Sequence, residues 1–392
     1  MNHTDKIIET YDSAVMGSYK RFPLSPGAVS GGAKCHDADG REFIDFGSGI
    51  GTNSLGYANL AWAEAVSVQA HKLQHVSNYY YNGVVGEFAA ALTKATASDK
   101  LFFGNSGAEA NECAIKIARK YSYDKYGAGR AAIITLEGSF HGRTMATLSA
   151  TGQEALHDYF FPFLGGFVHV PPNDIEALRA AVTGEVCAIM FEPLMGECGI
   201  LELDQEFVGA IFDIAKEHDL LTITDEVQCG AGRTGKLLCA EHFGVLPDII
   251  TMAKGIGGGL PIGICLARGA AAEVLTPGTH GSTFGGNPVV CAGAKVVLDT
   301  ILSGGFLDEV TKKGGYIRSA LLKMPKVVDV TGRGLMIGAR LEGIPAADVV
   351  SAALDRGLLC LMAKDRLRLL PPLNIGWDEI NAGLAILGEI LS

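Results

Sequence analysis

No run of about 18 consecutive apolar residues occurs in the 392-residue chain, so no segment reads as a membrane-spanning helix. The opening residues, Met1-Asn2-His3-Thr4-Asp5-Lys6, lack the apolar core of a signal peptide. The nine cysteines are odd in number and form no CxxC pair, so neither a disulfide framework nor a zinc site is indicated. Basic charge is scarce. A net charge of −11 argues against nucleic acid as the main partner, because phosphate backbones need basic patches. It leaves room for small anionic substrates, which a few local arginines can bind. Internal repeats and low-complexity linkers are also missing. With 48% hydrophobic and 19% charged residues, the expectation is an ordinary globular, cytoplasmic, reduced protein.

The length exceeds a typical single core, which predicts one large domain and a smaller one. The expected boundaries give residues 1–52 to the small domain, 53–304 to the large domain and 305–392 to the small domain again. Strand-like runs stand at 101–103, 131–136, 187–191, 220–224, 248–253 and 262–267. Helical patterns at 61–76, 84–97, 174–182, 205–219 and 289–302 separate several of them. That alternation predicts an α/β fold with a mainly parallel sheet covered on both faces. Short strands at 327–330, 335–340 and 367–370 mark the smaller α+β part. Residues 1–30 show no long periodic pattern, because Pro23, Pro26 and Gly27 interrupt it. Asp37-Ala38-Asp39-Gly40-Arg41 reads as a turn between two short antiparallel strands. Gly47-Ser48-Gly49-Ile50-Gly51-Thr52 is a glycine-rich loop, read as a plain loop in preference to a phosphate-binding one.

Polar clusters fall at the strand ends, where parallel sheets keep their active groups. One strand delivers Asp225-Glu226-Val227-Gln228 and the next delivers Lys254, followed by Gly255-Ile256-Gly257-Gly258-Gly259. Ser106 is placed to cap a helix, with Glu109 as the capping-box acid. The same helix start, at Ser106-Gly107-Ala108, suits a phosphate. An acid, a lysine and a phosphate cradle match three parts of pyridoxal 5'-phosphate. Its aldehyde condenses with a lysine amine of depressed pKa. Its ring nitrogen stays protonated opposite a carboxylate, so the ring can accept electrons. Plainer readings fit the same text: an aspartate at a strand end is common in α/β folds, and a lysine among glycines can hold phosphate as a simple cation.

The wording of the motifs is more specific. In Asn105-Ser106-Gly107-Ala108-Glu109-Ala110-Asn111-Glu112, Ser139-Phe140-His141-Gly142-Arg143-Thr144 and Asp225-Glu226-Val227-Gln228-Cys229-Gly230 the chain resembles class III (ornithine-type) aminotransferases of fold type I. The likeness continues through Gly232-Arg233-Thr234-Gly235-Lys236, Ala253-Lys254-Gly255, Gly281-Ser282-Thr283-Phe284-Gly285-Gly286-Asn287-Pro288 and Arg368-Leu369-Leu370-Pro371-Pro372-Leu373. These segments keep family order from near residue 40 to near 373, and within the family they lie closest to the branch that uses N-acetylornithine. The resemblance implies a seven-stranded, mainly parallel sheet and a pyridoxal-phosphate enzyme. Lys254 would bond the cofactor aldehyde and shuttle the substrate proton, and Asp225 would pair with the ring nitrogen. Phe140 and Val227 would take the two ring faces, and Gln228 the ring hydroxyl. Ser106, Gly107 and Ala108 would hold the phosphate, with Glu226 also counted among the cofactor contacts. Thr283 would reach the phosphate of the partner subunit, which implies a homodimer with its active sites at the interface.

Substrate selection is implied in the same way. Arg368 would bind the α-carboxylate of glutamate or 2-oxoglutarate. Arg143 would bind the distal carboxylate of that substrate, or the α-carboxylate of N2-acetyl-L-ornithine. Ser282 would assist the latter, and Glu197 would neutralise Arg368 when no carboxylate is wanted there. The implied activity moves the terminal amine of N2-acetyl-L-ornithine to 2-oxoglutarate, in arginine biosynthesis. Succinylornithine, ornithine, 4-aminobutyrate or N-succinyldiaminopimelate as donor would use the same cofactor residues. A non-catalytic binding protein of the same fold is the reading from another class, and Lys254 and Asp225 speak against it. Met195 and Cys198 depart from the family's usual glutamine and glycine, which bears on substrate range and not on the reaction.

Overall fold

The computed structural model describes residues 2–392, with side chains described for all of these except 28–30. A seven-stranded sheet runs in the order Lys100–Gly104, Gly263–Ala267, Ile249–Ala253, Leu221–Asp225, Val186–Phe191, Ala132–Leu136, Phe167–Val170. Gly263–Ala267 lies antiparallel to both of its neighbours, and the other pairings in the sheet are parallel. The four strands from Gly263–Ala267 to Val186–Phe191 are buried along their whole length. Their apolar runs lack alternation because both faces are covered.

Helices lie near their expected positions at Leu60–Lys72, Gly83–Ala95, Ile175–Ala181, Gln205–His218 and Pro288–Ile301. Several elements go beyond the sequence reading, among them a helix and an edge strand. A helix spans His3–Ala14, started by Asn2 and Asp5 in a capping box. The edge strand Phe167–Val170 pairs with Ala132–Leu136. One expectation shifts by a residue. Ser106 does cap the helix Gly107–Tyr126 through Glu109 N, but the Glu109 carboxylate accepts from Asn105 N and Asn105 Nδ2 and does not return to Ser106.

Lys34–Asp37 and Glu42–Asp45 form the antiparallel pair expected around the 37–41 turn. Glu42–Asp45 also pairs in parallel with Leu358–Leu359, which ties the two ends of the chain together. A second four-stranded sheet holds Val327–Arg333, Met336–Leu341, Arg366–Leu369 and Leu361–Ala363. Its hairpin Leu361–Leu369 carries Arg368 towards the end of the large sheet. Among the described residues no single helix is long and apolar enough to cross a membrane.

Candidate active site

Two adjacent parallel strands set the centre of the site. Their register places Asp225 beside Thr251, so Lys254 leaves its strand three residues further on, past the same edge. Lys254 has φ 48°, a left-handed conformation that a non-glycine residue adopts at a cost of about 1–3 kcal/mol. The lysine therefore turns sharply out of the sheet, and glycine follows it directly.

The buried Asp225 carboxylate is held from three sides. Its Oδ1 accepts Val227 N at 3.0 Å. Its Oδ2 accepts Asn111 Nδ2 at 2.8 Å and meets His141 Nδ1 at 2.8 Å. Asn111 also donates to His141 O at 2.7 Å, and His141 N donates to Thr151 Oγ1. This network fixes the acid before any ligand arrives.

A cavity of about 460 Å³ opens beside these groups. Its wall includes Lys254, Asp225, Ser106, Gly107, Ala108, Phe140, Val227, Gln228, Arg143 and Glu197, all singled out in the sequence. Gly107 and Ala108 begin the 20-residue helix Gly107–Tyr126. Their N–H groups precede its hydrogen-bonded turns, and the positive end of the helix dipole lies with them. A Cβ on Gly107 would stand 2.7 Å from Val227 Cγ1, so only glycine lets that valine close over the helix start. Phe140 faces the same space, with the Arg143 guanidinium 5.5 Å above its ring.

Electrostatics favour a reactive amine. Burial pushes the Lys254 amine below the usual lysine range, and Glu197, Asp225 and Glu192 pull only partly against it. Among the described residues Lys254 Nζ makes no hydrogen bond that would tie it to the protein. Glu192 was not assigned a role in the sequence. It lines the cavity, and its carboxylate accepts Phe140 N and Gly196 N. Burial, and secondarily the Asp225 charge, push it up to about 7.

Arg368 lies just behind the wall. Its Nη1 meets Glu197 Oε1 at 2.5 Å, and it donates a longer bond to Gln228 Oε1 at 3.4 Å. Gln228 Nε2 donates to Glu197 Oε1 at 3.2 Å, so the Gln228 amide, expected at a ring hydroxyl, spans the ion pair. Burial works against the Glu197 charge, but Arg368 outweighs it and holds this carboxyl below its ordinary value.

Besides Arg368, three expected residues do not line the cavity. The Glu226 carboxylate turns into the protein, because Cys239 N and Ala240 N bind it at 2.7 and 2.8 Å. Ser282 Oγ accepts Asn105 Nδ2 at 3.2 Å and Gly285 N at 3.0 Å, and so reaches the wall only through Asn105. Thr283 is exposed on the surface. Conversely, Thr52, Asn105 and Asn111 line the cavity without having been assigned a role. Asn111 and His141 stood inside quoted motifs, and Thr52 in the glycine-rich loop.

The donor set fits pyridoxal phosphate on the geometry of this chain. An untied amine of lowered pKa, a fixed carboxylate, a glycine cradle at a helix start and two apolar walls share one cavity. Comparison with known proteins agrees. Residues 25–391 match the family model described as aminotransferase class-III. The acetylornithine aminotransferase of Haemophilus ducreyi is 47% identical, covering 99% of both chains. That of Caldanaerobacter subterraneus is 48% identical, covering 98% of both. Among solved structures, the ornithine aminotransferase of Toxoplasma gondii superposes with a TM-score of 0.94 at 30% identity, over 99% of this chain and 95% of that one. The N-acetylornithine aminotransferase of Stenotrophomonas maltophilia does so with a TM-score of 0.84 at 34% identity, over 97% of each. Fold, cavity and near-full-length identity converge: the chain belongs to the class-III aminotransferase family.

Proposed function

We propose that the chain is a pyridoxal-phosphate aminotransferase that moves the terminal amine of N2-acetyl-L-ornithine to 2-oxoglutarate, in arginine biosynthesis. The observation that carries the reading is the meeting of Lys254, Asp225 and the Gly107 helix start in one cavity. The 41–48% identity to acetylornithine aminotransferases supports this donor. When bound, pyridoxal phosphate supplies an aldehyde that takes up the amino group and a ring that accepts electrons from the neighbouring C–H bond.

The chain's own residues do the rest. Ser106, Gly107 and Ala108 hold the phosphate by hydroxyl and backbone N–H. Phe140 and Val227, both in the cavity wall, would flank the ring and exclude water. Asp225, fixed by Asn111 and His141, holds the proton at the ring nitrogen. Lys254 would hold the aldehyde end, and its buried amine would be the group that takes and returns the proton at the substrate carbon. Its depressed basicity keeps the amine available for both tasks. Storage of the amino group between two half-reactions makes the kinetics ping-pong.

One site must accept two substrates of different shape. Arg143, exposed at the cavity, takes a carboxylate of either substrate. Arg368 takes the α-carboxylate of glutamate or 2-oxoglutarate as a bidentate partner. Glu197 closes on Arg368 when the substrate brings no carboxylate there, and the 2.5 Å pair between them supports this reading. Ser282 supports the donor side through Asn105.

Thr283 serves the partner's phosphate in a cytoplasmic homodimer. Its own exposure, and that of Phe284, Tyr79, Tyr80 and Tyr81, fits a face covered by a second copy. Light scattering should give the mass of two chains. Ornithine is the second reading for the donor, favoured by the 0.94 TM-score to an ornithine aminotransferase.

The purified protein should be yellow, and borohydride should fix the cofactor to wild type but not to Lys254→Ala. A colourless wild type overturns the cofactor reading. Rates with acetylornithine, ornithine and 4-aminobutyrate against 2-oxoglutarate decide the donor, and acetylornithine should be fastest.

A further inference from the structure

The geometry points to Cys198 and Lys364 as a clasp that holds the Glu197–Arg368 pair closed and so sets the balance between the two substrates. This inference rests on the reading of the site as one that serves two substrates in turn. Both are positioning residues; neither lines the cavity.

Lys364 occupies the turn of the hairpin Leu361–Ala363 to Arg366–Leu369, at φ 52°. Its Nζ donates to Cys198 Sγ at 3.4 Å. The partners on either side join the same two segments. Glu197 meets Arg368, and a Cβ on Gly199 would stand only 3.2 Å from Arg366 Cδ. Three successive loop residues, 197 to 199, thus lie against residues 364, 366 and 368 of the hairpin. Positions 366 and 368 share one face of their strand, since strand side chains alternate. The contact is a short zipper between the loop that carries the gating glutamate and the hairpin that carries the arginine.

Glycine makes room for the clasp. A Cβ on Gly138 would stand 2.6 Å from Cys198 Sγ and 3.6 Å from Lys364 Nζ. Gly138 has φ 79° and stands two residues before Phe140, so the clasp also touches the loop that carries the aromatic wall. Among the nine cysteines Cys198 alone is not buried.

Freeing Arg368 for a carboxylate separates two segments that the clasp joins. The clasp therefore adds to the closed state and subtracts from the open one. A ligand that needs the open state binds in proportion to the fraction open. Loss of the clasp raises that fraction, so the KM for 2-oxoglutarate falls while the KM for the amine donor rises. For a partly exposed contact the change is about two- to fivefold in each direction.

The test measures both KM values in wild type, Cys198→Ala, Cys198→Ser and Lys364→Met holoenzymes. Opposite shifts are expected in Cys198→Ala and Lys364→Met, with Cys198→Ser near wild type because it keeps an acceptor. Adding Lys364→Met to Glu197→Gln should change nothing further, since the gate has already lost its charge. A general loosening would move both KM values the same way. That result, or no shift, overturns the clasp. A second readout needs no substitution: saturating glutarate, a non-reacting dicarboxylate, should speed alkylation of Cys198 by iodoacetamide, followed by peptide mass. A rate indifferent to glutarate also overturns the clasp. Absence of turnover with every donor would overturn the functional reading beneath it, an outcome distinct from turnover with unshifted KM values.

Discussion

His141 Nδ1 stands 2.8 Å from Asp225 Oδ2, with the histidine ring wholly buried. With Asn111 on the same oxygen, two side chains from separate segments hold the acid that would face the ring nitrogen. A hydrogen bond to a charged group contributes about 1.5–3 kcal/mol. His141→Ala should therefore lower kcat/KM by about 10- to 100-fold, and Asp225→Ala by at least as much. The visible spectrum distinguishes this from misfolding. Wild type should hold the long-wavelength band of the protonated cofactor across a wider pH range than His141→Ala. An unchanged spectrum in a folded variant would show that His141 does not act through Asp225.

The helix start makes a separate prediction. A Cβ on Gly107 would stand 2.7 Å from Val227 Cγ1, so Gly107→Ala displaces the valine wall or the N–H cradle. Overpacking of this kind costs about 1–3 kcal/mol, and on the proposed reading it would fall on the cofactor's phosphate end and one ring face. Cofactor affinity should fall about 5- to 100-fold by equilibrium dialysis, while the unfolding midpoint of the cofactor-free protein drops little. A fall in stability without a loss of affinity would make Gly107 a packing residue only.

Much of this arrangement was legible in the sequence, for a physical reason. The central strands are buried on both faces, so they read as unbroken apolar runs, and the polar residues closing them mark the working edge. Asp225, Lys254 and Gly107 were found in this way, and the motif wording added Phe140, Arg143, Glu197 and Arg368. Contacts between distant segments were not legible. Asn111 and His141 reach Asp225 across 114 and 84 residues, and no local pattern records such a meeting. Glu226 follows Asp225 directly, yet its carboxylate faces Cys239 and Ala240, because neighbouring residues past a strand end can point opposite ways. The edge strand Phe167–Val170 was missed because it is short and only its last residue is buried.

The Glu197–Arg368 pair predicts a split between the two half-reactions. If Arg368 binds the α-carboxylate as proposed, Arg368→Ala removes its charge-assisted partner, and the KM for 2-oxoglutarate should rise about 10- to 100-fold. The KM for the amine donor should change far less. Glu197→Gln leaves Arg368 free, and should lower the KM for 2-oxoglutarate while raising that for acetylornithine. Equal changes for both substrates in either variant would remove these residues from substrate selection.

Glu226 allows a test of stability against pH. Burial pushes its carboxyl up to about 7, although Ala240 N, Cys239 N and the Cys229 thiol pull the other way. A folded-state pKa above the unfolded value gives stability that is fully present below the unfolded carboxylate pKa. That stability is lost as the pH rises through the folded value. The window runs from near pH 4.5 to just above 7, and the contribution across it is at most about 3 kcal/mol. Glu192, also pushed up to about 7, acts with the same sign and remains in a Glu226 variant. Glu226→Gln, the neutral isostere of the protonated acid, should therefore change the midpoint little at acid pH. It should also make the decline between pH 5 and 8 shallower than in wild type, without abolishing it. Thermal unfolding at five or six pH values measures both. A variant whose midpoint falls parallel to wild type across the whole range would show that Glu226 keeps its proton equilibrium unchanged on folding.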